Sequence, residues 1–283
     1  MKTLIIGCGA AGAAAAIAAA ERGDSVTVID KNRKPLKKLG VTGNGRGNLM
    51  NNGQWRYYGD AAFARQVLEQ MPPKAVAAFL EGCGITLTEE EEGRVYPAAN
   101  LASVAVDGLL HRMERLGVRI LPCACAQQIA PQGDGFAVTV TVTDYAPDQV
   151  KASGKVKKGE AVGQSVRVLT ADRVIVAAGG AAAPAHGTDG SAYSLLTGLG
   201  HTLRPIRPAM AFPKSTGAMA PPERKTVSPS RIVSAASAAV SDRCAYAQYG
   251  CGDSGYTPAG TDDEREQEAA AAVGGGAAGS SSD

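Results

Sequence analysis

The chain has 283 residues, of which 45% are hydrophobic and 20% are charged, and these values are ordinary for a globular protein. No apolar run reaches the roughly 20 residues that a transmembrane helix needs. Of its 29 basic and 27 acidic residues, one and seven lie between Gly252 and Asp283, so the remainder carries a net charge of +8. This unclustered basic charge favours an anionic ligand and gives little support for nucleic-acid binding.

The first thirty residues predict a strand, a glycine turn, a helix and a second strand. Lys2–Ile6 is an apolar run with β-branched residues, an alanine-rich helix follows as far as Arg22, and Ser25–Asp30 reads as the second strand. The connection between the first strand and the helix is Gly7-Cys8-Gly9-Ala10-Ala11-Gly12. This spacing, in this context, is typical of a dinucleotide-binding turn.

Each part of this unit has a physical role in binding a dinucleotide. Gly7 permits the tight turn, Gly9 lets the backbone approach a pyrophosphate, and Gly12 lets the helix pack closely on the strand. The unpaired N–H groups and positive dipole end of the helix favour the phosphates without a lysine. Asp30 is placed to accept both ribose hydroxyls of an adenosine and to repel a 2′-phosphate.

The alternative for this stretch is a secretory signal peptide, since Leu4 to Ala20 is apolar and contains Ala-x-Ala. Its charged region would be Lys2 alone, three glycines interrupt it, and a regular strand follows at once. We therefore favour the nucleotide site and predict a cytoplasmic protein with reduced cysteines.

A basic loop, Lys31–Lys38, and a glycine-rich stretch, Leu39–Leu49, come next. They are either a solvated loop or a ligand-binding loop. The glycines around Arg46 let the backbone approach a ligand, and a guanidinium can bind a phosphate through two hydrogen bonds. We favour the ligand-binding loop because the nucleotide unit lies immediately upstream.

Together these motifs resemble the BaiN-like or YhiN-like flavoproteins, which are bacterial FAD-dependent oxidoreductases that include aminoacetone oxidases and bile-acid-pathway reductases. The resemblance rests on the glycine motif, the acid at position 30, Lys37-Lys38 and the stretch Thr42–Asn48. The family usually writes that stretch Thr-Gly-Gly-Gly-Arg-Cys-Asn, where this chain has Asn44 for a glycine and Gly47 for the cysteine. The family usually has Glu where Asp30 stands.

Further along, the sequence predicts more helices. Ala61–Leu80 reads as two helices parted by Pro72-Pro73, with Phe63 among the residues of their apolar faces. Glu89–Glu92 reads as a solvated turn. A helix is expected from Leu101 to Leu116.

The next part of the chain predicts an antiparallel β-meander and then a buried parallel strand that ends in glycines. The predicted strands are Val118–Leu121, Ala126–Ala130, Phe136–Val142, Ser165–Leu169 and Arg173–Gly180. A helix as far as Leu199 follows. Cys123-Ala-Cys125 is either a redox or metal pair or two buried structural cysteines, and the absence of a neighbouring histidine cluster favours the latter.

The resemblance to the family ends at Met210, which implies an incomplete C-terminal part. We predict a FAD-binding Rossmann-like domain over 1–210, a poorly defined remnant of an inserted substrate domain over 211–251, and a disordered low-complexity tail over 252–283. The fold class is α/β, a three-layer Rossmann-like FAD/NAD(P)-binding domain with an antiparallel β-meander, followed by an incomplete second region.

The resemblance implies an FAD-dependent oxidoreductase that transfers hydride between a small organic substrate and the flavin, with NAD(P)H as a candidate electron donor. We expect no nucleic-acid, membrane or metal partner. One alternative is a truncated, catalytically inactive dinucleotide-binding fragment. Another is a nicotinamide dehydrogenase, because the first βαβ unit cannot separate NAD from FAD. The meander and the loop around Arg46 favour FAD.

Spacing alone identifies no catalytic histidine, cysteine or carboxylate. The glycine motif and the family resemblance together imply a set of cofactor contacts. These are Gly7, Gly9, Ala10, Ala11, Gly12, Asp30, Lys31, Lys38, Gly43, Arg46, Asn48, Ala126, Ala178, Gly179 and Gly180.

Overall fold

A computed structural model describes residues 1–53, 57, 60–150 and 156–206, together with the backbone of 244–246. Its helices are α1 (Ala10–Glu21), α2 (Ala61–Gln70), α3 (Pro73–Gly82), α4 (Ala102–Arg115) and α5 (Tyr193–Thr197). Its strands are β1 (Lys2–Ile6), β2 (Ser25–Ile29), β3 (Met50–Asn51), β4 (Leu87–Glu90), β5 (Arg94–Pro97), β6 (Arg119–Leu121), β7 (Ala124–Gln132), β8 (Gly135–Tyr145), β9 (Gln149–Val150), β10 (Val156–Lys157), β11 (Ala161–Ala171), β12 (Arg173–Val176) and β13 (Cys244–Tyr246).

The central layer is a parallel sheet of five strands in the order β13-β12-β1-β2-β6. Ile5 of β1 lies between Val28 of β2 and Ile175 of β12 in the register of the sheet. These three side chains point to one face, whereas their neighbours along each strand point to the other, as the two-residue period of a strand requires. Both faces are buried, which explains the nearly continuous apolar runs in the sequence.

A helical layer covers the face that carries Ile5. α1 packs against β1 and β2, and α4 packs against α1. The cluster of buried residues on this side includes Ile17 of α1 and Met113 of α4, both at most 1% exposed. α1 is only weakly amphipathic, because alanines cover most of its surface. Their small side chains let the helix lie close both to the sheet and to α4.

The third layer is the antiparallel sheet β11-β8-β7, which covers the opposite face. Val138 and Val140 of β8 pack in one cluster with Leu4 and Ile6 of β1. A third sheet, β3-β5-β4, is also antiparallel, and β9 and β10 form a separate hairpin. The order helix, parallel sheet, β-meander confirms the predicted fold class.

Several details differ from the sequence-based expectations. Phe63, predicted on an apolar face of α2, is 64% exposed. The buried residue of this helix is Leu68. Glu89–Glu92 is not simply a turn, since its first half belongs to β4, where Glu90 pairs with Arg94 of β5. The break between α2 and α3 falls at Met71 and Pro72, and Pro73 is the first residue of α3, where a missing N–H costs nothing.

The segment 211–251 contains a strand that the sequence analysis did not predict. The backbone of β13 pairs in parallel with β12 and extends the central sheet, with Cys244 opposite Val174. The rest of 211–251 and the whole predicted tail, 252–283, lie outside the described residues. Within the described ranges, no helix is both long enough and apolar enough to cross a membrane.

We expect Gly12→Ala to lower the free energy of unfolding by about 3 kcal/mol. A Cβ atom at this position would lie 1.8 Å from the carbonyl oxygen of Gly7, so α1 would have to move away from the turn. Urea denaturation followed by circular dichroism measures the effect. Gly82→Ala at the end of α3 is the matched control, since its Cβ would meet no described atom within 4 Å. Equal stabilities of the two variants would contradict the prediction.

Candidate dinucleotide-binding site

A cavity of about 160 Å³ lies at the carboxyl ends of β1, β2 and β12. Loops that follow neighbouring parallel strands meet at the same edge of a sheet, so three segments distant in sequence come together here. They are the glycine turn after β1, the basic loop after β2 and the segment after β12. The first residues of β7 complete the lining.

The glycine turn presents bare backbone to this cavity. Gly9 caps α1 in an extended conformation with no side-chain hydrogen bond, and the first turn of α1 contains no acidic residue. The N–H groups of this first turn and the positive end of the helix dipole therefore remain available to an anion. A Cβ atom at Gly9 would meet no atom of the described residues within 4 Å, so the backbone is directly accessible there.

Asp30 is buried, with 7% exposure, and it ties the glycine turn to the loop after β2. Its Oδ2 accepts a hydrogen bond of 2.7 Å from the backbone N–H of Cys8. Its Oδ1 accepts from the backbone N–H of Asn32 at 2.7 Å and from Nδ2 of Asn32 at 2.9 Å. A carboxylate oxygen accepts about two hydrogen bonds, so Oδ2 has room for one further donor and Oδ1 has none.

The loop after β2 is bound to the segment after β12 by Lys31. Its Nζ donates to Oδ1 of Asp189 at 2.6 Å and to Oγ of Ser191 at 2.9 Å. Burial by itself would raise the pKa of Asp189. The hydrogen bond from Lys31, those from the hydroxyl and N–H of Ser191 and the charge of Lys31 hold that pKa well below its usual range. The carboxylate is thus ionised at neutral pH, and the ion pair persists there.

Two further lysines make the same connection. Nζ of Lys37 donates to the carbonyl oxygen of Ala185 at 2.8 Å, and Nζ of Lys38 makes a longer contact of 3.4 Å with Oγ1 of Thr188. Lys37, Lys38 and Thr188 line the cavity. Three of the basic residues of the chain, Lys31, Lys37 and Lys38, therefore line this site, where their charge favours an anionic ligand.

The predicted cofactor contacts fall into two groups. Those that line the cavity are Gly7, Gly9, Ala10, Ala11, Asp30, Lys31, Lys38, Ala126, Ala178 and Gly179. Those outside its lining are Gly12, Gly43, Arg46, Asn48 and Gly180. Gly12 lies behind the turn and sets the position of α1, as its predicted packing role requires.

Arg46 has partners of its own away from the cavity. Its guanidinium lies over the ring of Tyr96 at 4.4 Å, its Nε donates to Oδ1 of Asn100 at 2.6 Å, and it forms an ion pair with Glu90. Asn48 is 3% exposed. In this structure the stretch Thr42–Asn48 is anchored to β4, β5 and the start of α4, and Arg46 acts as the anchor.

Several lining residues were absent from the predicted contacts. They are Ile6, Cys8, Ile29, Asn32, Lys37, Leu39, Thr42, Ala124, Cys125, Ala177, His186, Gly187, Thr188, Ser191, Ala192 and Leu195. Most follow β2 or β12. The signal that could have identified them is topological, because both strands flank β1 and their carboxyl ends lie beside the glycine turn.

The cysteines are free thiols where the structure describes them. Cys123 and Cys125 are half-buried, so the expectation that both are buried structural residues is wrong: Cys123 occupies the turn before β7, with φ of 57°. Among the described residues, no group of three or more His, Cys, Asp or Glu side chains could hold a metal ion. Burial, with a smaller contribution from the charge of Asp30, raises the pKa of Cys8 to about 12.

Comparison with known proteins assigns the chain to a family. The profile described as HI0933-like protein Rossmann domain matches residues 1–280, well beyond Met210, where the recognisable motifs end. A 3-dehydro-bile acid delta(4,6)-reductase of Clostridium scindens is 34% identical over 211 residues, which are 73% of this chain and 46% of the relative. The chain thus spans about half the length of that relative.

The chain also shows distant, partial similarity to solved structures. BexE, studied for its role in oxidation during BE-7585A biosynthesis, is 18% identical with a TM-score of 0.37, over 66% of this chain and 33% of its own. THI4 of Thermovibrio ammonificans is 14% identical with a TM-score of 0.35, over 63% and 57%. Both TM-scores are below 0.5, so the family assignment rests on the sequence matches.

We expect Asp30→Ala to lower the free energy of unfolding by about 2 kcal/mol, because the N–H groups of Cys8 and Asn32 lose a buried acceptor. Asp30→Asn keeps one acceptor oxygen and should lose about half as much. Urea denaturation of both variants checks this. Asp134→Ala, at the exposed turn between β7 and β8, is the control. An Asp30→Ala protein as stable as this control would show that the carboxylate does not organise the loops.

We expect the thiol of Cys8 to resist alkylation in the folded protein. With a pKa of about 12, only about one thiol in ten thousand is ionised at pH 8, and the side chain is buried. Iodoacetamide treatment at pH 8, followed by digestion and mass spectrometry, measures modification at each cysteine. The same treatment in 6 M guanidinium chloride is the control, and it should modify Cys8 fully. Modification of Cys8 at equal rates in the two states would contradict its burial.

Proposed function

The chain belongs to the family of HI0933-like Rossmann-domain proteins, whose cofactor is FAD, and on that premise we propose that it is an FAD-dependent oxidoreductase acting on a small organic substrate. FAD would bind in the cavity at the carboxyl ends of β1, β2 and β12. A nicotinamide dinucleotide, NAD(P)H, is the proposed electron donor.

One observation carries this proposal. The first turn of α1 has no capping side chain and no acidic residue, and it begins at a glycine whose backbone faces open space beside the cavity. Such a helix end is a binding site for a phosphate group, because free N–H groups and the dipole both favour negative charge. The three lysines that line the cavity add to the same preference.

The residues present fit the two halves of the adenosine diphosphate portion of FAD. The N–H groups of the turn from Gly9 to Ala11 would bind the pyrophosphate. Asp30 would accept one ribose hydroxyl through the free position on Oδ2. Ala126 and Gly179 both line the cavity and are small, so a flat base would have room to lie against backbone there.

When bound, FAD supplies a ring that exchanges hydride with a substrate, and the protein supplies position and environment. In this chain the contribution is one of orientation. Close packing of α1 on β1 holds the pyrophosphate site rigid, and the Asp30 hydrogen bonds fix the loop after β2 against it. Arg46 contacts Asn100 and Tyr96 outside the cavity lining. We therefore propose that it positions the stretch Thr42–Asn48 and does not contact a phosphate directly.

The substrate class is proposed from the relative. Because the Clostridium scindens protein is named a 3-dehydro-bile acid delta(4,6)-reductase, 3-dehydro bile acids are the first compounds to test with NADH or NADPH. Oxidation of the nicotinamide that depends on both FAD and the bile acid would support the activity. A chain that binds FAD yet shows no turnover would favour the alternative of an inactive dinucleotide-binding fragment.

The first test is the visible absorption spectrum of the purified 283-residue chain, recorded as isolated and again after addition of FAD and removal of the excess. Near one equivalent of retained flavin is the expected result. A colourless protein whose melting temperature is unchanged by FAD would contradict the proposal. NAD is tested in the same way, since a rise in melting temperature with NAD alone would indicate a nicotinamide dehydrogenase.

We expect Gly9→Val to abolish retention of FAD while the fold is maintained. The isopropyl group would occupy the open space beside the turn, where the pyrophosphate is proposed to lie, and it would contact no described atom through its Cβ. Flavin absorbance after gel filtration measures retention, and circular dichroism measures the fold. Gly82→Val, at the exposed end of α3 and outside the cavity lining, is a substitution control whose FAD retention should be unchanged. Full flavin occupancy in Gly9→Val would refute the assignment of the pyrophosphate site.

A further inference from the structure

The histidine at position 186 lines the cavity and has no assigned role. We propose that Nδ1 of His186 binds one ribose hydroxyl of the adenosine, and so completes a pair of ribose contacts of which Asp30 makes only one. This inference rests on the proposed function, because it presumes that a dinucleotide occupies the cavity.

One nitrogen of the His186 ring lacks a hydrogen-bond partner among the described residues. His186 ends a short 3₁₀ turn, Pro184–His186, in the segment after β12. Its Nδ1 is buried and has no hydrogen-bond partner among the described residues. A buried polar atom without a partner is rare in a folded protein. Because other atoms of the same side chain line the cavity, we take a ligand atom to be the missing partner.

The segment that carries His186 lies against the loop that contains Asp30. The residue after the histidine, Gly187, has φ of 91° and packs so closely on Asn32 that an added Cβ would lie 2.5 Å from its Nδ2. That same amide group donates to Oδ1 of Asp30. The residue next to His186 therefore lies against Asn32, which is hydrogen-bonded to the proposed ribose-binding carboxylate. His186, Asn32 and Asp30 all line the cavity.

Asp30 can accept only one hydrogen bond beyond those it already has. Its Oδ1 already accepts two hydrogen bonds from Asn32, and its Oδ2 accepts one from Cys8. One acceptor position is left, whereas an adenosine ribose has two free hydroxyls, at the 2′ and 3′ carbons. The second hydroxyl needs another partner, and Nδ1 of a neutral imidazole can accept a hydrogen bond from it or donate one to it.

The segment that carries the histidine is held in place before any ligand binds. Ala183 and Thr188 exchange two backbone hydrogen bonds of 3.1 Å, which close the turn around His186. Lys37 holds the carbonyl of Ala185 from the opposite loop. A side chain on so constrained a turn loses little freedom on binding, so its hydrogen bond can contribute fully to affinity.

The experiment compares the full-length wild-type chain with His186→Phe, which keeps a flat ring and removes both nitrogens. Dissociation constants are measured for FAD and for ADP, which carries the adenosine without the flavin. We expect a loss of about tenfold for both ligands. His201→Phe is the matched control, since that side chain is exposed and lies outside the cavity lining, and its affinities should equal those of the wild type.

Deoxy analogues of ADP identify the contact. If Nδ1 binds a ribose hydroxyl, either 2′-deoxy-ADP or 3′-deoxy-ADP should bind the wild-type chain more weakly than ADP does, and His186→Phe should not weaken that analogue further. His186→Asn, whose side-chain oxygen can stand near the position of Nδ1, should regain part of the affinity, whereas His186→Gln should not. These two polar variants also replace His186→Phe if that protein fails to fold.

The outcomes separate the two proposals. A wild-type chain that binds neither FAD nor ADP overturns the proposed function and this inference with it. Wild-type binding together with unchanged affinity in His186→Phe overturns the role of His186 alone. A loss for FAD without a loss for ADP would place the histidine at the flavin half and overturn the ribose contact. If His186→Phe lowers the affinity for ADP and for both deoxy analogues by the same factor, the ribose contact is also overturned.

Discussion

The close approach of α1 to the glycine turn is the constraint on which this structure depends. With hydrogen atoms alone on Gly7 and Gly12, the first turn of the helix can lie against the carbonyl group of Gly7 and the end of β12. The same approach aims the free N–H groups of α1 at the edge where β1, β2 and β12 end. The fold and the proposed anion-binding site therefore share one contact, and the alanines of α1 extend that contact along the sheet.

Asp30 connects the glycine turn to the loop after β2 by hydrogen bonds. Its three hydrogen bonds from Cys8 and Asn32 are all local to the site, and they consume most of the acceptor capacity of the carboxylate. An acidic residue at the end of the second strand is usually discussed as a ligand contact. Here it is first a structural connector, and what it can offer a ribose is limited to one position.

The basic charge of the site is likewise engaged within the protein. Lys31 pairs with Asp189, and Lys37 binds a backbone carbonyl of the segment after β12. These contacts join two loops that are about 150 residues apart in sequence. The lysines thus shape the rim of the cavity and still lend it a positive potential, whereas Arg46 is held by Tyr96, Asn100 and Glu90 outside the lining.

The sequence by itself determined the βαβ unit, the glycine turn, the helices α2 to α4 and the β-meander, because these depend on residue periodicity and on glycine and proline at particular positions. It also identified most of the glycine-turn residues that line the cavity, with Cys8 missed. Of the lining residues in later segments it named only Ala126, Ala178 and Gly179, and only the tertiary structure added the residues beyond Gly179. His186 and Ser191 reach the site because β12 pairs with β1, and that pairing depends on contacts between residues some 170 positions apart. The partners of Arg46 and the remaining capacity of Asp30 were equally inaccessible to sequence reasoning, since a motif names a side chain but does not show which neighbours have already bound it.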